Sequence, residues 1–148
     1  MISANHQSRL LSVEHKPDLP EEKARIEAAG GRVKNHRING LPRMSRSLGD
    51  FQFKGKRNLP KEKQMVISEP DIDTIKNENI DFILIGCDGI WEGKDIDWYF
   101  DTVHDKLDKG ESAEKIVEHI LDEVVAKDLE GDDGHDNMTA VLIMAKRA

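Results

Sequence analysis

A continuous apolar run at residues 82–85 constrains the fold more than any other feature of the sequence. Four apolar residues without polar alternation predict a short strand that is covered on both faces. The run stops at Gly86, and Asp88-Gly89 follows immediately, so the chain turns directly after the strand. A strand that is buried on both sides needs layers above and below it, which predicts a layered fold.

Two amphipathic helices and a final strand complete this part of the pattern. Apolar residues recur at helical spacing over residues 96–107 and 113–124, and residues 138–144 form a last apolar strand. A pair of helices inserted before the final strand indicates helices packed on sheets, an α/β or α+β fold. Further strands are predicted at residues 65–67 and 72–75.

The first half of the chain carries signals for one short helix. Asp18 can cap it, Pro20 suits its first turn, and Gly30-Gly31 stops it. A turn is predicted around Asn39-Gly40.

Length and charge exclude several classes of protein. The 148 residues suffice for one compact domain, and a net charge of −7 argues against nucleic acid or membrane partners. No apolar stretch reaches the roughly 20 residues that cross a bilayer, and no apolar signal core is present. A single cysteine, Cys87, suits a reducing compartment, so a cytoplasmic or nuclear location is predicted.

Two acidic positions at strand ends are candidate metal ligands. Asp88 follows the strand at 82–85, and Asp136-Asn137 precedes the last strand. Magnesium and manganese prefer carboxylate oxygen, and the two carboxylates converge on one cation if the strands are neighbours. Each motif taken alone favours a simple turn or loop cap over a metal ligand.

Other readings of these segments are weaker. An EF-hand loop starting at Asp128 lacks the required glycine and acidic residue, which are Asp133 and Thr139 here. A cysteine phosphatase would need arginine six residues after Cys87, where the chain has Gly93. Cys87 is therefore interpreted as a core residue. For His135 three roles remain open: a loop residue, a metal ligand, or a residue that hydrogen-bonds to a metal ligand. The other histidines are interpreted as surface or structural residues: His6, His15, His36, His104 and His119.

Five segments together point to a family. They are EHKPDLPEEKARIEAAGGRV, RINGLPRMSRSLGDFQFK, ISEPDI, FILIGCDGIWE and GHDNMTAVLI. In this order and spacing they resemble the C-terminal half of the 2C-type, metal-dependent serine/threonine protein phosphatases, over about residues 11–144. The resemblance makes residues 1–148 a partial phosphatase catalytic domain.

The resemblance implies a fold, a reaction and a set of ligands. The fold is α+β, part of a four-layer α-β-β-α sandwich of two antiparallel sheets flanked by helices, with the N-terminal half missing. The reaction is hydrolysis of phosphoserine and phosphothreonine on proteins, with two manganese or magnesium ions. Asp88 and Asp136 match metal ligands of the family, and Glu92 stands where a weaker third metal site usually has aspartate.

The resemblance also assigns residues around the metals. Part of the flap beside the active site is expected at His36, Arg37, Asn39, Gly40 and Arg43. A mainly structural role is expected for the family-motif residues Ser45, Arg46, Gly49, Asp50, Gly89 and Asn137.

The first half of the family pattern, with its other ligands, is absent from the sequence. We therefore expect the chain to hold only part of the site and to be inactive alone. Its expected partners are a phosphoprotein substrate and either a complementing N-terminal half or a second copy. The alternatives are a pseudophosphatase that binds phosphoproteins or a partner without hydrolysis, and an unrelated metal-binding protein.

Overall fold

The computed structural model describes residues 1–76, 79–91, 93–126 and 136–144. The chain divides into two compact units: a sheet unit, formed by Met1–Ser12 with Lys76–Ala148, and a middle unit, Val13–Ile75. In chain order the helices and strands are β1 (Ile2–Ala4), β2 (Gln7–Arg9), α1 (Pro20–Ala28), β3 (Val33–Lys34), β4 (Arg37–Ile38), β5 (Ile80–Gly86), α2 (Ile96–Asp108), α3 (Ala113–Val124) and β6 (Ala140–Met144).

The sheet unit contains one four-stranded antiparallel sheet in the order β2-β1-β5-β6. In the β5–β6 pair Phe82 lies opposite Met144 and Gly86 opposite Ala140, while Ile2 of β1 lies opposite Ile83. Helices α2 and α3 connect β5 to β6 and pack on one face of the sheet. The predicted α+β class is confirmed.

Side-chain caps fix where the two helices begin. The carboxylate of Asp95 accepts a hydrogen bond from the N–H of Trp98 at 2.8 Å, and the hydroxyl of Ser112 accepts one from the N–H of Lys115 at 3.4 Å. The apolar stripes predicted from the sequence form the core with the sheet. Its buried residues are Met1, Phe82, Leu84, Tyr99, Val103, Ile116, Ile120 and Val124. None of the described helices is long and apolar enough to span a bilayer.

The sheet is covered on one face rather than on both. Phe82 and Leu84 are fully buried beneath the helices. On the opposite face Ile85 is 52% exposed and its partner Val141 is 50% exposed, and Ile143 is also open to solvent. The expectation that 82–85 is covered on both faces is therefore wrong for Ile85, because the unit's helices pack on one face only.

The middle unit begins with α1, whose cap differs from the prediction. Leu19 occupies the cap position and makes no side-chain bond, while Asp18 pairs with His36 at 2.9 Å. Asp18 lies one residue too early to cap a helix that begins at Pro20, so the predicted cap is wrong. The stop at the glycine pair is confirmed, since the N–H of Gly31 donates to the carbonyl of Ile26 at 2.9 Å.

Two predicted strands are absent, and two hairpins were not predicted. Residues 65–67 contribute only an isolated bridge between Ile67 and Arg46. Residues 72–75 form no strand, and Ile72 is 88% exposed, since no neighbouring backbone pairs with it. The hairpins β1–β2 and β3–β4 turn at 5–6 and 35–36, Asn-His pairs with positive φ at both residues. Neither turn contains the glycine by which a hairpin turn of this type is usually recognised in a sequence.

A buried carboxylate organises the middle unit. Glu22 is 3% exposed and accepts hydrogen bonds from Arg25 at 2.7 Å, from Arg46 at 2.8 Å and from Ser45. Arg46 also reaches Asp71 at 2.6 Å. Burial alone would raise the pKa of Glu22, but the bonds from Arg25, Arg46 and Ser45 outweigh it and lower the pKa to about 2.

Replacing Glu22 by glutamine should destabilise the middle unit. Arg46 would lose its buried counter-charge, and breaking one partner of such a pair costs about 3–5 kcal/mol. The pKa of Glu22 is lower in the folded chain than its ordinary 4.5, so its stabilisation is complete above that pH and is lost as pH falls towards 2. Urea unfolding at pH 7, 4.5 and 3 should show the wild-type advantage shrinking in that window.

The matched control is Glu21→Gln, which removes the same charge from an exposed neighbour in the same helix. We expect it to change the free energy of unfolding by no more than about 0.5 kcal/mol. Equal losses for the two variants, or a Glu22→Gln effect that does not depend on pH, would contradict the role given to Glu22.

Candidate metal centre

The two predicted ligands Asp88 and Asp136 lie at one edge of the sheet. Gly86 ends β5 and pairs with Ala140, the first residue of β6. Asp88 follows Gly86 by two residues, and Asp136 precedes Ala140 by four. Antiparallel pairing puts the end of one strand beside the start of the other, so the segments that carry Asp88 and Asp136 become neighbours.

Cys87 ties the two segments together. Its N–H donates to the carbonyl of Thr139 at 3.2 Å. Its thiol donates to the carbonyl of Asn137 at 3.2 Å and accepts a bond from the N–H of Thr139 at 3.3 Å. The side chain is half-buried. Cys87 thus extends the β5–β6 pairing past the last ladder residue, a role that its interpretation as a core residue missed.

Glycines allow the two segments to approach closely. A Cβ added to Gly89 would lie 2.5 Å from the carbonyl oxygen of Asn137 and 3.3 Å from Cβ of Asp136. A Cβ added to Gly86 would lie 2.1 Å from Cδ1 of Ile90. Gly86 therefore leaves room for the Ile90 side chain, and Gly89 allows the turn that carries Asp88 to approach the segment that carries Asp136.

Aromatic residues fix the turn that carries Asp88. The indole N–H of Trp91 donates to the carbonyl of Gly86 at 3.2 Å, and the hydroxyl of Tyr99 on α2 donates to the carbonyl of Ile90. The rings of Trp91 and Tyr99 meet edge to face at 5.0 Å. Burial raises the pKa of Tyr99 to about 12, so the hydroxyl keeps its proton and remains a donor.

The two carboxylates are suited to a hard cation. Both side chains are exposed at the sheet edge. Oδ1 of Asp88 accepts from the N–H of Gly89 at 3.1 Å, and Oδ1 of Asp136 accepts from the N–H of Asn137 at 2.7 Å. These bonds orient each carboxylate through one oxygen and leave Oδ2 as a ligand atom. Oxygen donors of this kind fit magnesium or manganese.

Two other predicted positions, Glu92 and His135, lie outside the described residues. Their assignments, as a ligand of a weaker third site and as a loop residue or ligand, stay predictions.

The predicted flap residues lie in the middle unit, on and after the β3–β4 hairpin. Arg37 donates to the carbonyl of Leu41 at 2.6 Å, and the amide oxygen of Asn39 accepts from the N–H of Arg32 at 2.9 Å. Gly40 has a φ of 81°, as a tight turn requires, and Arg43 is exposed. The hairpin is therefore braced within its own unit, while its flap role stays a prediction.

The motif residues at 45–50 also lie in the middle unit. Ser45 and Arg46 bind Glu22 as described above. Gly49 and Asp50 follow with positive φ values of 82° and 51°, and the carboxylate of Asp50 accepts from the hydroxyl of Ser47 at 2.5 Å. These four residues build a loop of the middle unit, whereas Asp88 belongs to the sheet unit. Their mainly structural role stays a prediction.

A family model described as protein phosphatase 2C matches residues 1–132. The chain belongs to the protein phosphatase 2C family.

Individual relatives agree with this assignment. Probable protein phosphatase 2C 60 of Arabidopsis thaliana is 39% identical over 147 residues, which cover 99% of this chain and 41% of the relative. Protein phosphatase 2C 1 of Paramecium tetraurelia is 36% identical over 152 residues, covering 99% and 51%. The crystal structure of a phosphatase from Toxoplasma gondii matches with a TM-score of 0.69 at 28% identity, covering 97% of this chain and 48% of that one.

The chain therefore spans about half, or less, of the family members that it matches. The expected α+β fold is the fold of these phosphatases, and the chain covers one part of it.

Replacing Gly89 by alanine should displace the segment that carries Asp136 in this family member. The added Cβ would meet the backbone of Asn137, which cannot rotate away as a side chain could. We expect a loss of about 1–3 kcal/mol in the free energy of unfolding, measured in urea, together with weaker manganese binding by calorimetry.

Gly55→Ala is the matched control, because the nearest atom to its added Cβ is the carbonyl oxygen of Phe51 at 3.8 Å. It should bind manganese like the wild type. If Gly89→Ala also leaves stability and binding unchanged, the close packing at the sheet edge does not position Asp136.

Proposed function

We propose that this chain supplies the C-terminal part of the catalytic domain of a metal-dependent protein phosphatase. The substrate class is phosphoserine and phosphothreonine on proteins, and the metal is manganese or magnesium. The observation that carries the proposal is the close approach of the segments that carry Asp88 and Asp136 at one sheet edge, in a member of the protein phosphatase 2C family. The single cysteine suits a cytoplasmic or nuclear location.

Asp88 and Asp136 act in this proposal as metal ligands, and Glu92 as a ligand of a weaker third site. A cation held by these carboxylates would supply Lewis-acid chemistry: it would lower the pKa of a water and offset negative charge on phosphoryl oxygens. The chain's own contribution is positional. Cys87 holds the two ligand segments together, and Tyr99 keeps the Asp88 turn against α2.

The flap hairpin is proposed to contact the substrate protein. The hairpin and its following loop carry three cationic or polar side chains around a tight turn: His36 and Arg43 are exposed and Arg37 is half-buried. Basic groups of this type attract a phosphorylated peptide through charge.

The exposed apolar face of the sheet is proposed to pack against a complementing N-terminal half. Ile85, Val141 and Ile143 lie on this face. A contiguous apolar surface of this kind marks an interaction site. The chain covers 41% of the Arabidopsis thaliana relative, so that relative holds further chain of the kind that could cover the face.

The chain alone is proposed to be inactive or nearly so. Two carboxylates, with water completing the coordination shell, bind a divalent ion weakly because charge count sets affinity. Calorimetric titration of the 148-residue chain with manganese should show weak binding, and Asp88→Asn or Asp136→Asn should weaken it roughly tenfold or more. Asp101→Asn, an exposed carboxylate on α2, is the control and should bind like the wild type.

Activity is tested in parallel with p-nitrophenyl phosphate and manganese. We expect no turnover by the chain alone and turnover by a fusion with the part of the Arabidopsis thaliana relative that the chain does not cover. Asp88→Asn should abolish activity of the fusion. Turnover by the pure chain would contradict the incomplete-site proposal. A fusion that binds phosphopeptide without turnover would favour a pseudophosphatase instead.

Charge placed on the apolar face tests the complementing half. Val141→Glu should change the free energy of unfolding of the chain by no more than about 0.5 kcal/mol, because the residue is half exposed. The same substitution should reduce the activity of the fusion. Val125→Glu, at an exposed apolar residue just after α3, is the control and should retain activity.

Sedimentation of the chain alone separates the two expected partners. A wild-type dimer that Val141→Glu converts to a monomer would identify a second copy as the occupant of this face. That result would overturn the proposal of a complementing half.

A further inference from the structure

Three ligand-type side chains converge at the other end of β5. His6 lies in the β1–β2 turn, Asp81 near the start of β5, and His104 on α2. One ligand atom from each lies within 4.8 Å of the others, the single group of this kind among the residues that the structure describes. Asp81 and Asp88 are seven residues apart, about 20 Å along extended chain, so this group is separate from the carboxylate site.

The three side chains are held in place by hydrogen bonds and ring contacts. The Asp81 Oδ2 atom accepts from the backbone N–H of His6 at 3.0 Å and from the hydroxyl of Ser3 at 2.9 Å. The rings of His6 and His104 lie 4.5 Å apart with an interplanar angle of 34°. Phe82 and Phe100 flank His104 with ring distances of 5.2 and 4.5 Å. The site is therefore partly assembled before any ligand arrives.

The geometry of Ser3 in this group does not match that of a nucleophilic serine. In a catalytic triad the histidine stands between serine and aspartate. Here Ser3 stands in the middle, 2.8 Å from Nε2 of His104 and 2.9 Å from Asp81, and it is fully buried. An ionised carboxylate only accepts, so Ser3 donates to Asp81 and accepts from Nε2–H of His104. Its hydroxyl proton is directed at the carboxylate and its oxygen is closed to substrate.

The conformation of His6 follows from the hairpin turn that carries it. Asn5 and His6 have φ values of 51° and 54°, which a two-residue hairpin turn of this type requires. Glycine is strongly preferred at the second position, and histidine is among the other residues that adopt it. His6 is the turn residue whose ring lies 4.5 Å from that of His104 and whose N–H binds Asp81.

We propose that His6, Asp81 and His104 form a zinc-type binding site for a divalent transition metal. Two imidazoles and one carboxylate are borderline ligands that favour zinc or cobalt over magnesium and manganese. Three protein ligands leave a fourth position for water. The three ligand atoms lie within 4.8 Å of one another. Side-chain rotations that shorten these separations would bring all three atoms onto one ion. Ser3 stays beside Asp81 as a supporting hydrogen bond. His104 binds the metal through a ring nitrogen that carries no proton, so coordination through Nε2 replaces its bond to Ser3.

The bound metal would link three elements of the sheet unit. His6 belongs to the β1–β2 turn, Asp81 to β5 and His104 to α2, so one ion joins the edge hairpin, the central strand and a covering helix. Binding to the folded state alone stabilises it by mass action. Zinc should therefore raise the unfolding temperature of the chain.

The test is cobalt and zinc binding by the full chain in an Asp88→Asn/Asp136→Asn background, which removes the other candidate ligands. We expect one Co²⁺ per chain with visible absorption bands of a four-coordinate ion, displaced by Zn²⁺. His6→Asn should weaken the binding roughly tenfold or more. Asparagine tolerates positive φ, so this variant keeps the turn.

His36→Asn is the matched control because His36 occupies the same place in the second Asn-His turn, with a φ of 57°. Its removal should leave Co²⁺ binding unchanged. The proposal is overturned if His6→Asn binds like the wild type, or if both variants lose binding equally. Zinc titration of the unsubstituted chain, followed by the histidine ring resonances, is independent of any variant: His6 and His104 should shift and His36 should not.

Discussion

The antiparallel register of β5 with β6 is the constraint on which the candidate centre depends. Because Gly86 lies opposite Ala140, the residues just beyond each strand are neighbours, and Asp88 meets the Asp136 segment without any further element between them. Cys87 prolongs the pairing with bonds from its backbone and its thiol. A slip of one residue would point every side chain of β6 to the other face and separate the two carboxylates.

The two units of the chain are stabilised by different interactions. The sheet unit has an apolar core in which two helices cover one sheet face. The middle unit has short strands and a small core, and its loops are joined through the buried Glu22 and its arginine partners. Removing one member of such a network lowers the free energy of unfolding strongly, because the remaining charges stay buried without a partner. Acid should therefore affect the middle unit through Glu22.

Opposite ends of β5 offer different ligand chemistry. Beyond its last residue, Gly86, Asp88 and Asp136 present oxygen atoms, which suit manganese or magnesium. Near its start, Asp81 is joined by the imidazoles of His6 and His104, which suit zinc. A single strand thus separates a site that fits phosphatase chemistry from a site that fits structural metal binding.

The sequence by itself determined the local patterns: the helical stripes of α2 and α3, the apolar run of β5, and Asp88 and Asp136 as candidate ligands at strand ends. Periodicity and turn residues report on neighbours along the chain, and these features are local. Tertiary structure decided the rest. It showed that Asp18 pairs with His36 instead of capping α1, that Cys87 joins two strand ends, and that His6, Asp81 and His104 meet. These contacts join residues 18 or more positions apart, and no spacing rule reaches across such distances because only the folded register brings the residues together.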